Sequence, residues 1–204
     1  MQDLRTKQLT DSVTNLEERE KKMHNMFEVA DRGIQRIQHV VELLRRVAQE
    51  GFSEESVELD FDAAVRDVVA LMAPQDGSEI KLELELNAGI AKVRCLPIDM
   101  NQVIQNLVQN AFDAAEKCVH VRTKRIDQGN LLFEVEDDGT GIPQDIRDKI
   151  FSPFFSTKGP GKGMGIGLTI TQQVVSSLGG DITVASTPPQ GTFFRVKLPV
   201  QVQA

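Results

Sequence analysis

From Leu9 onward, Leu9, Val13, Leu16, Glu20, Met23, Phe27, Ala30, Ile34, Ile37, Val41 and Leu44 fall alternately four and three residues apart. Ten of these eleven positions are apolar, and Glu20 is the exception. A seam sustained that long exceeds what one helix needs to pack against a small core, and it points to coiled-coil or helical-bundle dimerisation. Two places invite a bend: the charged stretch 17–22 around Glu20, and the Asp31-Arg32-Gly33 triplet, since glycine costs about 1 kcal/mol in a helix interior. A helical hairpin and one continuous rod both fit the pattern.

The seam stops at Gly51 and Phe52, and residues 53–56 are serines and glutamates. We therefore divide the chain into a helical dimerisation element, 1–51, and a compact domain, 52–204. Apolar spacing predicts a helix over 61–72, ended by Pro74. Residues 80–86 alternate Ile and Leu with Lys81, Glu83 and Glu85, the signature of a half-buried strand. Further strands are predicted at 92–95, 119–123, 131–136, 181–185 and 193–198, with helices at 98–117 and 165–178. Interleaved strands and helices of this kind build an α+β, two-layer sandwich with one mixed sheet under a helical layer.

Composition excludes several functions. The formal charge of −7 repels a phosphate backbone, and without Trp or Tyr there are few stacking platforms, so nucleic-acid binding is not expected. No apolar run reaches the roughly 18 residues a membrane helix needs, and the first residues lack the apolar stretch of a signal peptide. A cytoplasmic location follows, either for the whole molecule or for the cytoplasmic part of a longer one. Cys95 and Cys118 show neither metal-ligand spacing nor a disulfide framework, and read as small buried hydrophobes.

Three segments carry chemistry. On the helix over 98–117, Asn106, Asn110 and Asp113 lie four and three apart and share one face, beside an apolar stripe of Val103, Leu107, Ala111 and Ala114. Amides are unusual on a helix face, and here they suit oxygen ligation of Mg²⁺. Next, the strand over 131–136 runs into Asp137, Asp138, Gly139, Thr140 and Gly141, where a carboxylate can accept from an exocyclic amine while glycine lets the backbone approach a ligand. Finally, Gly159, Gly161, Gly163, Gly165 and Gly167 alternate into Leu168 and an apolar helix. Backbone N–H groups at such a helix start suit polyphosphate, although neither a Walker loop nor a dinucleotide fingerprint is present. The preceding Phe-Ser-Pro-Phe-Phe-Ser-Thr-Lys stretch, 151–158, reads as a hinged lid.

In this order the segments resemble the catalytic domain of sensor histidine kinases, within the ATPase superfamily shared with Hsp90, DNA gyrase B and MutL. The resemblance covers roughly residues 58–199 and implies the Bergerat-type sandwich, with ATP and Mg²⁺ as cofactors. It makes Asn110 the Mg²⁺ ligand, with Asn106 and Asp113 beside it. Asp137 would bind the adenine amino group, Gly139 and Gly141 would shape that pocket, and Thr192 would support an adenine-side water. Phe151, Phe154 and Phe155 match the family's aromatic box, and Gly163, Gly165 and Gly167 its phosphate-facing glycines. The lid looks most like that of the nitrogen-regulator subgroup, where Lys158 would approach the phosphates. The partners implied are a response-regulator receiver domain and a second copy of the chain joined through the N-terminal helices.

The phosphoacceptor is less regular. His120 falls in a predicted strand and reads as structural, His39 lies on the outer face of the heptad, and His24 is followed by Asn25 and Met26 rather than an acid. Gln2-Asp3-Leu4-Arg5-Thr6 resembles the family's acceptor box with Gln where His belongs, so a dimeric nucleotide-binding scaffold without an acceptor is the alternative to a kinase. A hydrolytic ATPase of the chaperone or mismatch-repair kind needs a Glu on the preceding helix turn. Asp99, Gln102, Gln105 and Asn106 stand there instead.

Overall fold

The computed structural model describes residues 56–72, 79–89, 91–158 and 163–200, together with Arg19, Met23, Met26 and Gly33, which are helical. Of two units, Met1–Ser53 and Glu54–Ala204, the second holds the sheet and is described by itself. The expected hairpin or rod, and Gln2, His24 and His39, lie outside the described residues.

Alternation of apolar and polar side chains gives two eight-residue strands, β4 (Cys118–Arg125) and β5 (Asn130–Asp137). They pair antiparallel, with Val121 opposite Val135. Val119, Val121, Leu131, Phe133 and Val135 therefore all point to one face, where each is fully buried or nearly so. Antiparallel β7 (Thr192–Pro199) and β6 (Asp181–Ser186) extend one side, and β2 (Lys81–Asn87) joins β4 in parallel on the other. The resulting order is β2-β4-β5-β7-β6. Three helices, α1 (Phe61–Met72), α2 (Pro97–Ala114) and α3 (Gly167–Ser177), cover the apolar face, with α2 packed against both others and on β5. Met100, Val103, Ile104, Leu107 and Val108 of α2 are excluded from solvent, each such side chain contributing roughly 1.5–3 kcal/mol of burial. Phe61 meets Phe133 edge to face at 5.5 Å.

Sequence and structure differ at element ends and in one pairing. Residues 92–95 do form a strand, β3 (Lys92–Cys95), but it pairs with an unforeseen β1 (Val57–Asp60) in a separate two-stranded sheet rather than joining the main one. Four-residue strands carry too little alternation to reveal themselves. A six-residue 3₁₀ helix, Gln144–Lys149, was likewise not foreseen. The third helix starts at Gly167 rather than 165, because Gly165 has φ +66° and cannot continue a right-handed turn.

The shortened end of α2 has the most informative cause. Ala115 leaves the helix with an extended backbone (φ −61°, ψ 142°), and the next three N–H groups, of Glu116, Lys117 and Cys118, all donate to Asp138 Oδ1 at 2.9, 3.0 and 3.0 Å. One carboxylate oxygen thus turns the chain from α2 into β4 and fastens that turn to the end of β5. Beside it, a Cβ on Gly139 would lie 2.0 Å from the Ala114 carbonyl oxygen, so only glycine permits this approach. Elsewhere, buried Thr123 of β4 donates to Asp62 Oδ1 at 2.5 Å and accepts from the backbone N–H groups of Asn87 and Ala88, tying the start of α1 to the end of β2.

The N–H groups of Lys117, Cys118 and Glu116 hold the Asp138 carboxyl below the usual aspartate range. Asp138→Ala is expected to lower unfolding free energy at neutral pH by about 1–2 kcal/mol, a modest figure because the site is solvent-exposed. Since the folded value is the lower one, this stabilisation is complete above the ordinary range near about pH 4 and is lost as pH falls through the folded value. Urea titrations of wild type and variant should therefore converge in acid, and a gap that holds or widens there would contradict the assignment.

Candidate functional site

The outward face of α2 brings its polar residues to α3 and the lid. Asn106, half-buried, donates from Nδ2 to the carbonyl of Gly167 at 3.0 Å and lies 3.4 Å from Thr171 Oγ1. Its amide is thereby engaged with the first turn of α3. One turn on, Asn110 Oδ1 accepts from Lys158 Nζ at 3.0 Å. Asp113 Oδ2 receives the same ammonium at 2.5 Å, while its Oδ1 accepts from Gln109 Nε2 at 2.8 Å. The apolar stripe holds for Val103, Leu107 and Ala111, which are buried, but Ala114 at the helix end is exposed.

Asp137 ends β5 with 4% of its surface exposed. Its carboxylate accepts from the N–H of Gly139 at 3.0 Å and from the backbone of Thr192. Burial raises the Asp137 carboxyl above the ordinary value, those two N–H groups pull it back, and the neighbouring Asp138 and Glu136 carboxylates push it up again. Thr192 is buried on β7, with its hydroxyl 3.4 Å from Ser186 Oγ. Ser186 was missed by sequence reasoning, yet its hydroxyl donates to the Gly191 carbonyl and accepts from the Ile142 N–H, both at 2.7 Å. It braces the turn containing Gly141. A single serine at a strand end carries no local pattern that could have marked it.

The lid, 151–158, is fastened at its base, where Thr169 Oγ1 donates to the Phe151 carbonyl at 3.0 Å. A Cβ on Gly165 would stand 2.3 Å from the Phe155 carbonyl oxygen, so the glycine run passes against the lid backbone. Phe154 adopts φ +65° and is 74% exposed. A side chain other than glycine in that region costs of order 1–3 kcal/mol, which marks the lid as strained. Gly163 sits near Ser156 and Lys158, and Leu168 is half-buried in the first turn of α3. Ile166, the N-cap residue, gives no side-chain hydrogen bond to that turn, and no other described side chain caps it. Gly159 and Gly161 lie outside the described residues. A groove of about 600 Å³ lined by Arg147, Asp148, Phe151, Ser152, Pro153, Gln172 and Val184 includes neither Asn110 nor Asp137.

Two polar clusters are therefore built from α2 and β5, the two elements fastened by Asp138. One pairs amide and carboxylate oxygens around a cation, and the other sinks a carboxylate beside glycines and hydroxyls. Comparison with known proteins shows the family. The family described as histidine kinase-, DNA gyrase B-, and HSP90-like ATPase matches residues 95–202. The sensor kinase CckA of Brucella abortus is 34% identical over 157 residues, covering 69% of this chain and 17% of CckA. The aerobic respiration control sensor protein ArcB of Escherichia coli is 35% identical over 144 residues, covering 68% of this chain and 18% of ArcB. The chain thus spans less than a fifth of the length of these relatives. Among solved structures, the nucleotide-free catalytic domain of histidine kinase ThkA is 28% identical with a TM-score of 0.63, covering 71% of this chain and 95% of that one. Full-length ShkA in complex with AMPPNP is 26% identical with a TM-score of 0.67, covering 81% and 37% respectively. The chain belongs to the histidine kinase-, DNA gyrase B-, and HSP90-like ATPase family, and its sandwich has the fold of histidine kinase catalytic domains.

Proposed function

We propose that the chain is the Mg·ATP-binding part of a two-component sensor kinase that delivers the γ-phosphoryl group to a histidine for relay to a response regulator. The observation that carries this reading is the pairing of Asn110 Oδ1 and Asp113 Oδ2 around one cationic group, the Lys158 ammonium. An amide and a carboxylate oxygen already shaped around positive charge fit a hard divalent ion, and Asn110 is the residue that would ligate it. When bound, Mg²⁺ supplies charge neutralisation between phosphate oxygens.

Each residue then has a task. Asp137 accepts from the adenine amino group, and its burial strengthens that hydrogen bond by excluding water. Gly139, Gly141, Thr192 and Ser186 shape its surroundings. Lys158, released from Asp113, follows the lid to the phosphates. The uncapped N-terminus of α3, approached through Gly163, Gly165 and Gly167, presents N–H groups to the phosphate oxygens. Asn106 is a positioning residue that holds that helix end to α2. The imidazole nitrogen of the acceptor attacks the γ-phosphorus in line as the bond to the bridging oxygen of ADP breaks, so catalysis rests on positioning and charge. Dimerisation through residues 1–51 and docking of a receiver domain belong to the same reading. Gln2 in the place of an acceptor favours the second reading, a dimeric nucleotide-binding scaffold that passes conformational signals without transferring phosphate.

Calorimetry with ATP in Mg²⁺ buffer checks the two ends of the site separately. Asn110→Ala is expected to abolish the Mg²⁺-dependent part of binding while leaving the thermal midpoint near wild type. Asp137→Asn should weaken ATP by about 10-fold or more while leaving a purine triphosphate without the amino group little changed. Unaltered Mg·ATP affinity in Asn110→Ala would remove the ligand assignment. Incubation with γ-labelled ATP and a domain bearing a phosphoacceptor histidine separates kinase from scaffold. Acid-labile, base-stable protein phosphate is expected, and its absence despite ATP binding selects the scaffold.

A further inference from the structure

The sheet face away from the helices carries a cluster unrelated to the nucleotide site. Period-two alternation puts Cys118 and His120 of β4 on that face, and parallel pairing sets Glu83 of β2 directly opposite His120. One ligand atom from each of the three lies within 4.8 Å of the others. Cys118 Sγ is 3.3 Å from His120 Nε2, and Glu83 Oε2 is 3.0 Å from His120 Nδ1. That Nδ1 is shielded from solvent and makes no hydrogen bond among the described residues, despite the carboxylate beside it. Cys118 itself is half-buried rather than a core hydrophobe, whereas Cys95 is buried.

We propose that Glu83, Cys118 and His120 form a binding site for a zinc-class divalent transition metal. A hydrogen bond needs donor, proton and acceptor in line, whereas two metal ligands aim their lone pairs at a third point off that line. An orphaned ring nitrogen 3.0 Å from a carboxylate oxygen fits the second geometry, since the N···O edge of a tetrahedral zinc site is about 3.3 Å. Thiolate, imidazole and carboxylate together select zinc over Mg²⁺ or Ca²⁺, and three protein ligands leave a fourth position for water. On binding, the thiol proton passes to solvent and Lys81 gives up its 2.5 Å contact with Glu83 Oε1; with 72% of its side chain exposed, Lys81 is able to swing away. The ion joins edge strand β2 to β4. Sequence spacing hides the site because Glu83 comes from a different strand.

The test uses the full chain, without nucleotide, titrated with Zn²⁺ by calorimetry and with Co²⁺ by absorbance. Wild type is expected to bind one equivalent, to melt at higher temperature with Zn²⁺ present, and to show a thiolate-to-cobalt charge-transfer band. Cys118→Ser should abolish that band, and Cys118→Ser, His120→Gln and Glu83→Gln should each weaken Zn²⁺ by at least about tenfold, the loss that removal of even an outer partner brings. Lys81→Ala, which frees Glu83, should bind Zn²⁺ more tightly. No band in wild type, a band surviving in Cys118→Ser, or Zn²⁺ affinity indifferent to His120→Gln and Glu83→Gln overturns the proposal.

Discussion

A single carboxylate oxygen, Asp138 Oδ1, holds the two halves of the candidate site in register. By taking three successive N–H groups it ends α2, starts β4 and fastens both to the last residue of β5. Asn110 and Asp113 lie on the final turns of α2, and Asp137 is the residue before Asp138. The cation-binding oxygens and the buried carboxylate are therefore separated by elements that cannot drift independently. Gly139 completes the joint, because any side chain there would drive the strand end off the helix. Helix packing on β5 supplies the stability, and this junction supplies the alignment.

Charge arranges the rest of the site. One end collects oxygen acceptors, Asn110 and Asp113, and already gathers a lysine from the lid around them. Nearby, where Asn106 meets the first turn of α3, the helix N-terminus has no side-chain cap among the described residues and offers donors. A polyanion carrying its own divalent cation satisfies both at once, which neither a simple anion nor a simple cation does. The backbone at Phe154 is strained, and Gly165 passes against Phe155 at a distance that only glycine permits. That layout accords with membership of the histidine kinase-, DNA gyrase B-, and HSP90-like ATPase family.

Much of this was legible in the sequence, for identifiable reasons. Long alternating strands such as β5 and the strongly periodic α2 declared themselves, since a two-residue or 3.6-residue repeat over eight or more positions has few other readings. Asn110, Asp113, Asp137 and the glycines stood out because amides on a helix face and alternating glycines cost stability unless they do something. What stayed hidden was long-range. Asp138, Ser186 and Thr123 had no local mark, and Glu83 met Cys118 and His120 only through parallel pairing of strands 37 residues apart in register. β1 and β3 were too short for periodicity to show that they pair with each other.

The most direct measurement is a crystal structure of the chain with a non-hydrolysable ATP analogue and Mn²⁺ in place of Mg²⁺, using the anomalous signal of manganese to locate the ion. The account predicts manganese coordinated by Asn110 Oδ1, Lys158 turned from Asp113 to the phosphates, and the adenine amino group donating to the Asp137 carboxylate. A nucleotide bound with its ring away from Asp137, or manganese held by residues other than Asn110, would contradict it.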